Sequence, residues 1–225
     1  MTTSSLVIEP TAPAAAAARR NPLPMKGSSR VALAIASLAL GLLFVLPLWH
    51  IGLTAPQYPE GLGLYISIDR ISGEQPQDLN SINGLNHYIG MKRITPEDIP
   101  ELRFMPYVVL GLIALGLSVA LVGKRGLLYG YLTVFALGAA AGLADFYRWG
   151  YDYGHNLDPD AILKIPGMTY QPPLIGSRQL LNFSATSWPA SGGWIAIAAL
   201  LLGIGLAGFE FRRARAGVVA ATRGP

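Results

Sequence analysis

The chain has 225 residues, of which 52% are hydrophobic and only 13% are charged. A water-soluble domain usually carries about a quarter charged residues, so this composition excludes an ordinary soluble protein. The chain has no cysteine, which excludes disulfides and thiolate chemistry, and its net charge of +4 is too small to indicate a nucleic-acid partner.

Four long apolar segments predict four membrane-spanning helices. They are residues 31–53, 104–123, 126–146 and 192–211. Each is close to the roughly 20 residues that a helix needs to cross the hydrocarbon core, where the backbone must satisfy its own hydrogen bonds. The first segment is longer than the apolar part of a signal peptide, which favours an uncleaved anchor. The predicted fold is therefore an all-α membrane protein, a four-transmembrane-helix bundle.

The distribution of charge predicts the orientation of this bundle. A basic tail (residues 1–30, expected to be disordered), a tight turn (residues 124–125) and a second basic tail (residues 212–225) together hold ten basic residues and one acidic residue. The two long loops, residues 54–103 and 147–191, hold seven basic and ten acidic residues. The positive-inside rule then places both termini in the cytoplasm and both loops outside the membrane. We expect the bacterial inner membrane.

The first loop is predicted to contain short ordered elements. Residues 64–71 alternate in part between apolar and polar, as an extended segment does. Leu79, Ile82, Leu85 and Ile89 recur at helical spacing, and Gly90 is placed to end that helix. A further short helix is predicted after Thr95, which would cap it.

The second loop is predicted to be mostly extended. Its first residues continue the third helix beyond the bilayer and supply aromatic side chains at the membrane surface. The remainder is rich in proline and glycine, which disfavours regular helix. Within it, the sequence IPGM at residues 165–168 predicts a type II turn.

Histidine and methionine in these loops suggest a metal site. Thioether sulfur selects Cu(I), and imidazole also suits copper. His87 and Met91 are four residues apart, which in a helix would bring their side chains together. His155 and Met168 lie in the second loop and could complete the set. The alternative for each residue is an ordinary role in packing, hydrogen bonding, a turn or the membrane interface.

Three segments resemble a known family. They read INGLNHYIGMKRITPE, YDYGHNLDPDAILKIPGMTYQPPLIG and LLNFSATSWPASGG, and with the pattern of spans the likeness covers roughly residues 50–210. The chain is similar to small four-span bacterial membrane proteins associated with gene clusters for nitrous-oxide reductase and its copper accessories. The resemblance implies a role in assembling a copper enzyme, or in feeding it electrons, at the outer face of the inner membrane.

Two functional hypotheses follow. The first is a non-enzymatic accessory protein that binds Cu(I) transiently through His87, Met91, His155 and Met168 and passes it to a periplasmic copper protein. The second is a structural subunit that anchors or stabilises a larger membrane complex. The spans lack charge in their middle, which argues against a pump or transporter acting alone. No nucleophile elbow, phosphate loop or HExxH motif indicates an enzyme.

Overall fold

The structure, a computed structural model, describes residues 24–180 and 182–222. Of the tail predicted to be disordered, residues 1–23 lie outside the described residues, and the prediction was wrong for residues 27–30, which form the start of a helix. Four of the helices are long and apolar enough to cross a membrane. These are α1 (Gly27–Ala39, extended by a 3-10 turn at Leu40–Phe44), α3 (Glu101–Val122), α4 (Arg125–His155) and α5 (Ser191–Thr222).

The four long helices pack as a bundle. Helix α1 contacts α3 and α5, and α4 contacts the same two helices. The interior is formed by apolar side chains from all four, with Leu33, Leu40, Val119 and Leu128 among the most deeply buried. Helix α4 has 31 residues, about 46 Å at 1.5 Å per residue. It therefore extends past a hydrocarbon core of about 30 Å, as predicted for the third helix.

A five-stranded antiparallel sheet lies at one end of the bundle, and it makes the all-α prediction wrong. The strands are β1 (Trp49–Ala55), β2 (Tyr58–Ile66), β3 (Ile71–Gly73), β4 (Gly176–Leu180) and β5 (Phe183–Pro189), in the order β3-β2-β1-β5-β4. Strand β1 is central and pairs with both β2 and β5. The protein is therefore a mixed α and β structure, in which each long loop contributes part of one sheet.

The prediction of a first span at residues 31–53 was wrong for the second half of that segment. The helical segment ends at Phe44, and residues 49–55 form β1 instead. Pro47 explains the change, because proline lacks a backbone N–H and disfavours helix in the residue before it. Hydropathy could not detect this boundary, since the central strand of a sheet is as apolar as the end of a membrane helix.

Helix α2 (Asp78–Ile89) covers one face of the sheet. Ile82 packs with Leu62 and Leu64 of β2 in a small second core. The amphipathic helix predicted in the first loop is confirmed, and so is its end, because Gly90 adopts a left-handed φ of 81°. The extended segment predicted at residues 64–71 was correct only for the end of β2 and the first residue of β3, which a turn separates.

The opposite end of the bundle joins the start of α1, the α3–α4 turn and the second half of α5. The Met25 amide donates to the Gly123 carbonyl at 2.8 Å. The start of α1, the second half of α5 and the basic turn thus lie on the side away from the sheet. Which side faces the cytoplasm stays a prediction. We call the two sides the sheet end and the basic end.

Candidate functional site

The two segments that hold the predicted metal ligands meet at the sheet end. The Asp158 amide donates to the carbonyl of Gly90 at 2.8 Å, and the Leu163 amide donates to the carbonyl of Tyr88 at 3.0 Å. We call this contact between residues 88–92 and 152–163 the loop junction. It forms because Gly90 ends α2 without a side chain, and a Cβ there would lie only 2.8 Å from that of Ala161.

Next to the loop junction, His87 and Met91 do not share a helical turn. Helix α2 ends at Ile89, and Met91 follows the left-handed Gly90. The Met91 amide donates to the Asn86 carbonyl at 2.8 Å, which is the hydrogen bond that commonly closes a helix of this type. The helical spacing from which this pair was predicted therefore does not apply. His87 is exposed, and Met91 is partly buried.

His155 and Met168 have local partners of their own. The His155 ring stacks on Tyr151 at 3.9 Å between centroids, and its Nδ1 is 2.9 Å from the Tyr151 carbonyl oxygen. Met168 closes the predicted turn, because its amide donates to the Ile165 carbonyl at 3.1 Å and Gly167 has a φ of 75°. In His155, Nδ1 is the nitrogen that contacts the Tyr151 carbonyl, and Nε2 does not take part in that contact.

No cluster of three or more His, Asp or Glu side chains with metal-binding geometry occurs in residues 24–180 and 182–222. The predicted copper site has two thioether and two imidazole donors, so the absence of such a cluster neither supports nor contradicts it. Copper binding by His87, Met91, His155 and Met168 stays a prediction.

The sheet carries a second candidate site that the sequence did not reveal. Its face opposite to α2 is open and polar, with His50 of β1 at its centre. His50 Nε2 lies 3.0 Å from Glu74 Oε2, and its ring is 4.9 Å from that of Tyr65. A groove of about 570 Å³ opens on one side of this pair, and one of about 280 Å³ on the other. We call them the first and second grooves.

The His50–Glu74 pair requires glycine beneath it. Gly63 of β2 lies under the two side chains, and a Cβ there would approach His50 Nε2 to 2.9 Å and Glu74 even more closely. Gly52 pairs with Gly63 across the strands, so no side chain from either position fills the space. His50 lies near the end of the first predicted span, residues 31–53, where hydropathy alone assigns it to a helix. Hydropathy does not predict which strands pair, and it is the strand pairing that brings residues 50 and 74 together.

Comparison with known proteins assigns no family to this chain. No protein-family model matches it, and no curated protein matches it significantly. The likeness to proteins of nitrous-oxide reductase gene clusters therefore stays an expectation from the three sequence segments.

Proposed function

We propose that the protein is a non-catalytic accessory protein of the bacterial inner membrane that supports a copper enzyme on the outer side. The four long helices would anchor it in the lipid bilayer, and the folded sheet end would contact the partner. The resemblance implies that the partner is a nitrous-oxide reductase or a protein of its maturation, or else the subunits of a larger membrane complex.

One observation carries this proposal. The sheet has α2 on one face only, and the other face presents Trp188, 49% exposed, opposite His50 in the strand pairing. Exposed tryptophan beside polar groups is typical of protein interfaces, where it provides much of the binding energy. A structure that only linked membrane helices would not need a five-stranded sheet with such a face.

The test is co-purification from the native membrane in mild detergent. We expect the wild type to retain a stoichiometric copper protein, and Trp188→Ala to lose it. Tyr88→Ala is the matched control, because Tyr88 is 47% exposed on α2 and lies away from the open face. Retention of the partner by Trp188→Ala, or equal loss in both variants, would contradict the proposal.

Transient Cu(I) binding at the loop junction is the second candidate function. The junction favours it because it places the chain around Met91 beside the chain around His155, and a salt bridge of 2.6 Å between Lys92 and Asp152 also joins the two segments. Thioether and imidazole donors suit Cu(I). The thioethers of Met91 and Met168 would bind the ion with His87 and with Nε2 of His155.

Competition for Cu(I) with a coloured chelator, under reducing conditions, tests this candidate. We expect Met91→Leu and Met168→Leu to weaken binding, since leucine keeps the apolar volume and removes the sulfur. Met105→Leu is the control, because Met105 packs against the bundle core. If the wild type takes no Cu(I) from the chelator, or all three variants behave alike, this candidate is wrong.

A further inference from the structure

The first groove lies where the bundle meets the sheet. Val45, which directly follows the 3-10 turn of the first candidate span, and Ser191, the first residue of α5, both line it. Pro47 and Ala190 complete its apolar floor. Since these residues adjoin the ends of two candidate spans, the floor of the groove lies at the boundary between hydrocarbon and headgroups.

The wall of the first groove is polar and comes from the open face of the sheet. His50 pairs with Tyr65, and Tyr65 pairs with Ser72, so these three side chains share one face. The turn between β2 and β3 adds Ser67 and Arg70. This wall therefore combines a guanidinium, an imidazole and several hydroxyls beside an apolar floor.

The turn that carries Arg70 is fixed in position. The Ser67 amide donates to the Arg70 carbonyl at 2.8 Å. Ile68, between them, is only 1% exposed and belongs to the core of the membrane bundle. This buried side chain holds the turn against the helices, and Arg70 therefore lies beside the ends of the candidate spans.

We propose that the first groove binds the phosphate group of a phospholipid from the adjacent leaflet. Arginine is suited to phosphate because its planar guanidinium can donate two hydrogen bonds at once. The N-terminus of α5, where Ser191 lies, adds the positive end of a helix dipole. The volume of about 570 Å³ is in the usual range for ligand sites, about 300–1,000 Å³.

Free phosphate and a phospholipid present the same anionic group to Arg70. The apolar floor of the groove favours the phospholipid. Val45 is 69% exposed, and Leu42, on the preceding turn, is also exposed. An acyl chain leaving the groove would cover these side chains, whereas inorganic phosphate would leave them uncovered. This site does not depend on the proposed function, and it could be occupied whether or not a copper protein binds.

Two carboxylates near the first groove affect how strongly it binds a phosphate group. Asp69 pairs with Arg70 at 3.0 Å, and Glu74 pairs with His50 at 3.0 Å. The Asp69–Arg70 pair is well exposed, and exposed pairs contribute little, typically about 0–1 kcal/mol. A phosphate can therefore replace Asp69 as the partner of Arg70, and removal of Asp69 would favour the lipid.

Native mass spectrometry of the full chain, purified in mild detergent, tests the proposal. We expect one retained phospholipid on the wild type and about tenfold weaker retention in Arg70→Gln, from the loss of a charge-assisted hydrogen bond. Asp69→Asn should increase retention. Arg103→Gln is the control, because Arg103 lies at the start of α3, where it donates to the Glu97 carbonyl, and it does not line the groove.

Three outcomes would overturn the proposal. They are a wild type without bound phospholipid, equal retention in the wild type and Arg70→Gln, and displacement of the lipid by millimolar inorganic phosphate. The last outcome would assign the groove to a free anion. If Arg70→Gln unfolds, the comparison of Asp69→Asn with the wild type decides, and no gain in retention would overturn the proposal.

Discussion

At the scale of single residues, Glu210 is a buried carboxylate that is held by several partners. It is completely buried at the basic end, where its carboxylate accepts hydrogen bonds from Ser29 at 2.7 Å, the Lys26 amide at 2.9 Å and Arg125 at 3.1 Å. The Arg213 guanidinium lies 3.3 Å away. This one side chain joins α1, α4 and α5.

Removal of the Glu210 charge is expected to destabilise the protein. Glu210→Ala would leave the Arg125 guanidinium, itself 7% exposed, buried without its partner. Breaking a buried ion pair in this way costs about 3–5 kcal/mol, which corresponds to a fall in Tm of about 6–20 °C at this chain length. Thermal unfolding in detergent measures the effect.

The control for Glu210 is Glu74→Gln at the sheet end. Glu74 is also paired, with His50 at 3.0 Å, but its side chain is 44% exposed, so its removal should cost no more than about 1 kcal/mol. Equal losses of stability in Glu210→Ala and Glu74→Gln would show that the buried cluster does not hold the helices together.

At the scale of elements, the side chain of Asn83 fixes α2 to the chain that follows it. Asn83 accepts a hydrogen bond from the Ile94 amide at 2.7 Å and donates one to the Ile94 carbonyl at 3.0 Å. The amide group of Asn83 thus pairs with Ile94 as a neighbouring strand would. This pairing closes the turn after Gly90 and positions residues 88–92 for the loop junction.

Asn83→Ala should therefore weaken both α2 and the loop junction. It leaves the two backbone groups of Ile94 unpaired, at a cost of about 1–3 kcal/mol, and faster hydrogen exchange is expected at residues 88–94 and 158–163. Asn80→Ala is the control on the same helix, because Asn80 is exposed and bonds only to Gln77. We expect its effect to stay within about 0.5 kcal/mol, and equal exchange in both variants would contradict the assignment.

At the scale of the whole molecule, the four helices separate two chemically different ends. The sheet end contains both long loops, and the basic end contains the α3–α4 turn together with the start of α1. Four of the arginines and lysines at the basic end, Lys26, Arg30, Lys124 and Arg125, lie within the described residues near that turn. The positive-inside rule predicts that this end faces the cytoplasm.

Cysteine labelling tests this orientation directly, because the natural chain contains no cysteine. Ser177→Cys on β4 and Lys124→Cys in the α3–α4 turn are both at exposed positions, at opposite ends. An impermeant maleimide should label Ser177→Cys in intact spheroplasts, and Lys124→Cys only after permeabilisation. The reverse pattern would place the sheet in the cytoplasm and remove the basis for a periplasmic partner.

The sequence by itself determined the features that depend on neighbours along the chain. Apolar length marked the starts of the four long helices and the end of α3, whereas α4 and α5 continue beyond the predicted ends at residues 146 and 211. Helical periodicity with Gly90 predicted α2, and the IPGM turn at residues 165–168 was predicted from proline and glycine alone. These features are local, because helix hydrogen bonds and turn conformations involve residues at most a few positions apart.

Only the tertiary structure decided the sheet and the sites that it creates. Trp49 donates to Ser187 at 2.7 Å across 138 positions of sequence, and Glu210 bonds Ser29 across 181. The His50–Glu74 pair exists because β1 and β2 align two glycines beneath it. Such contacts depend on which strands pair and which helices pack, and the pattern of one segment does not specify its partner.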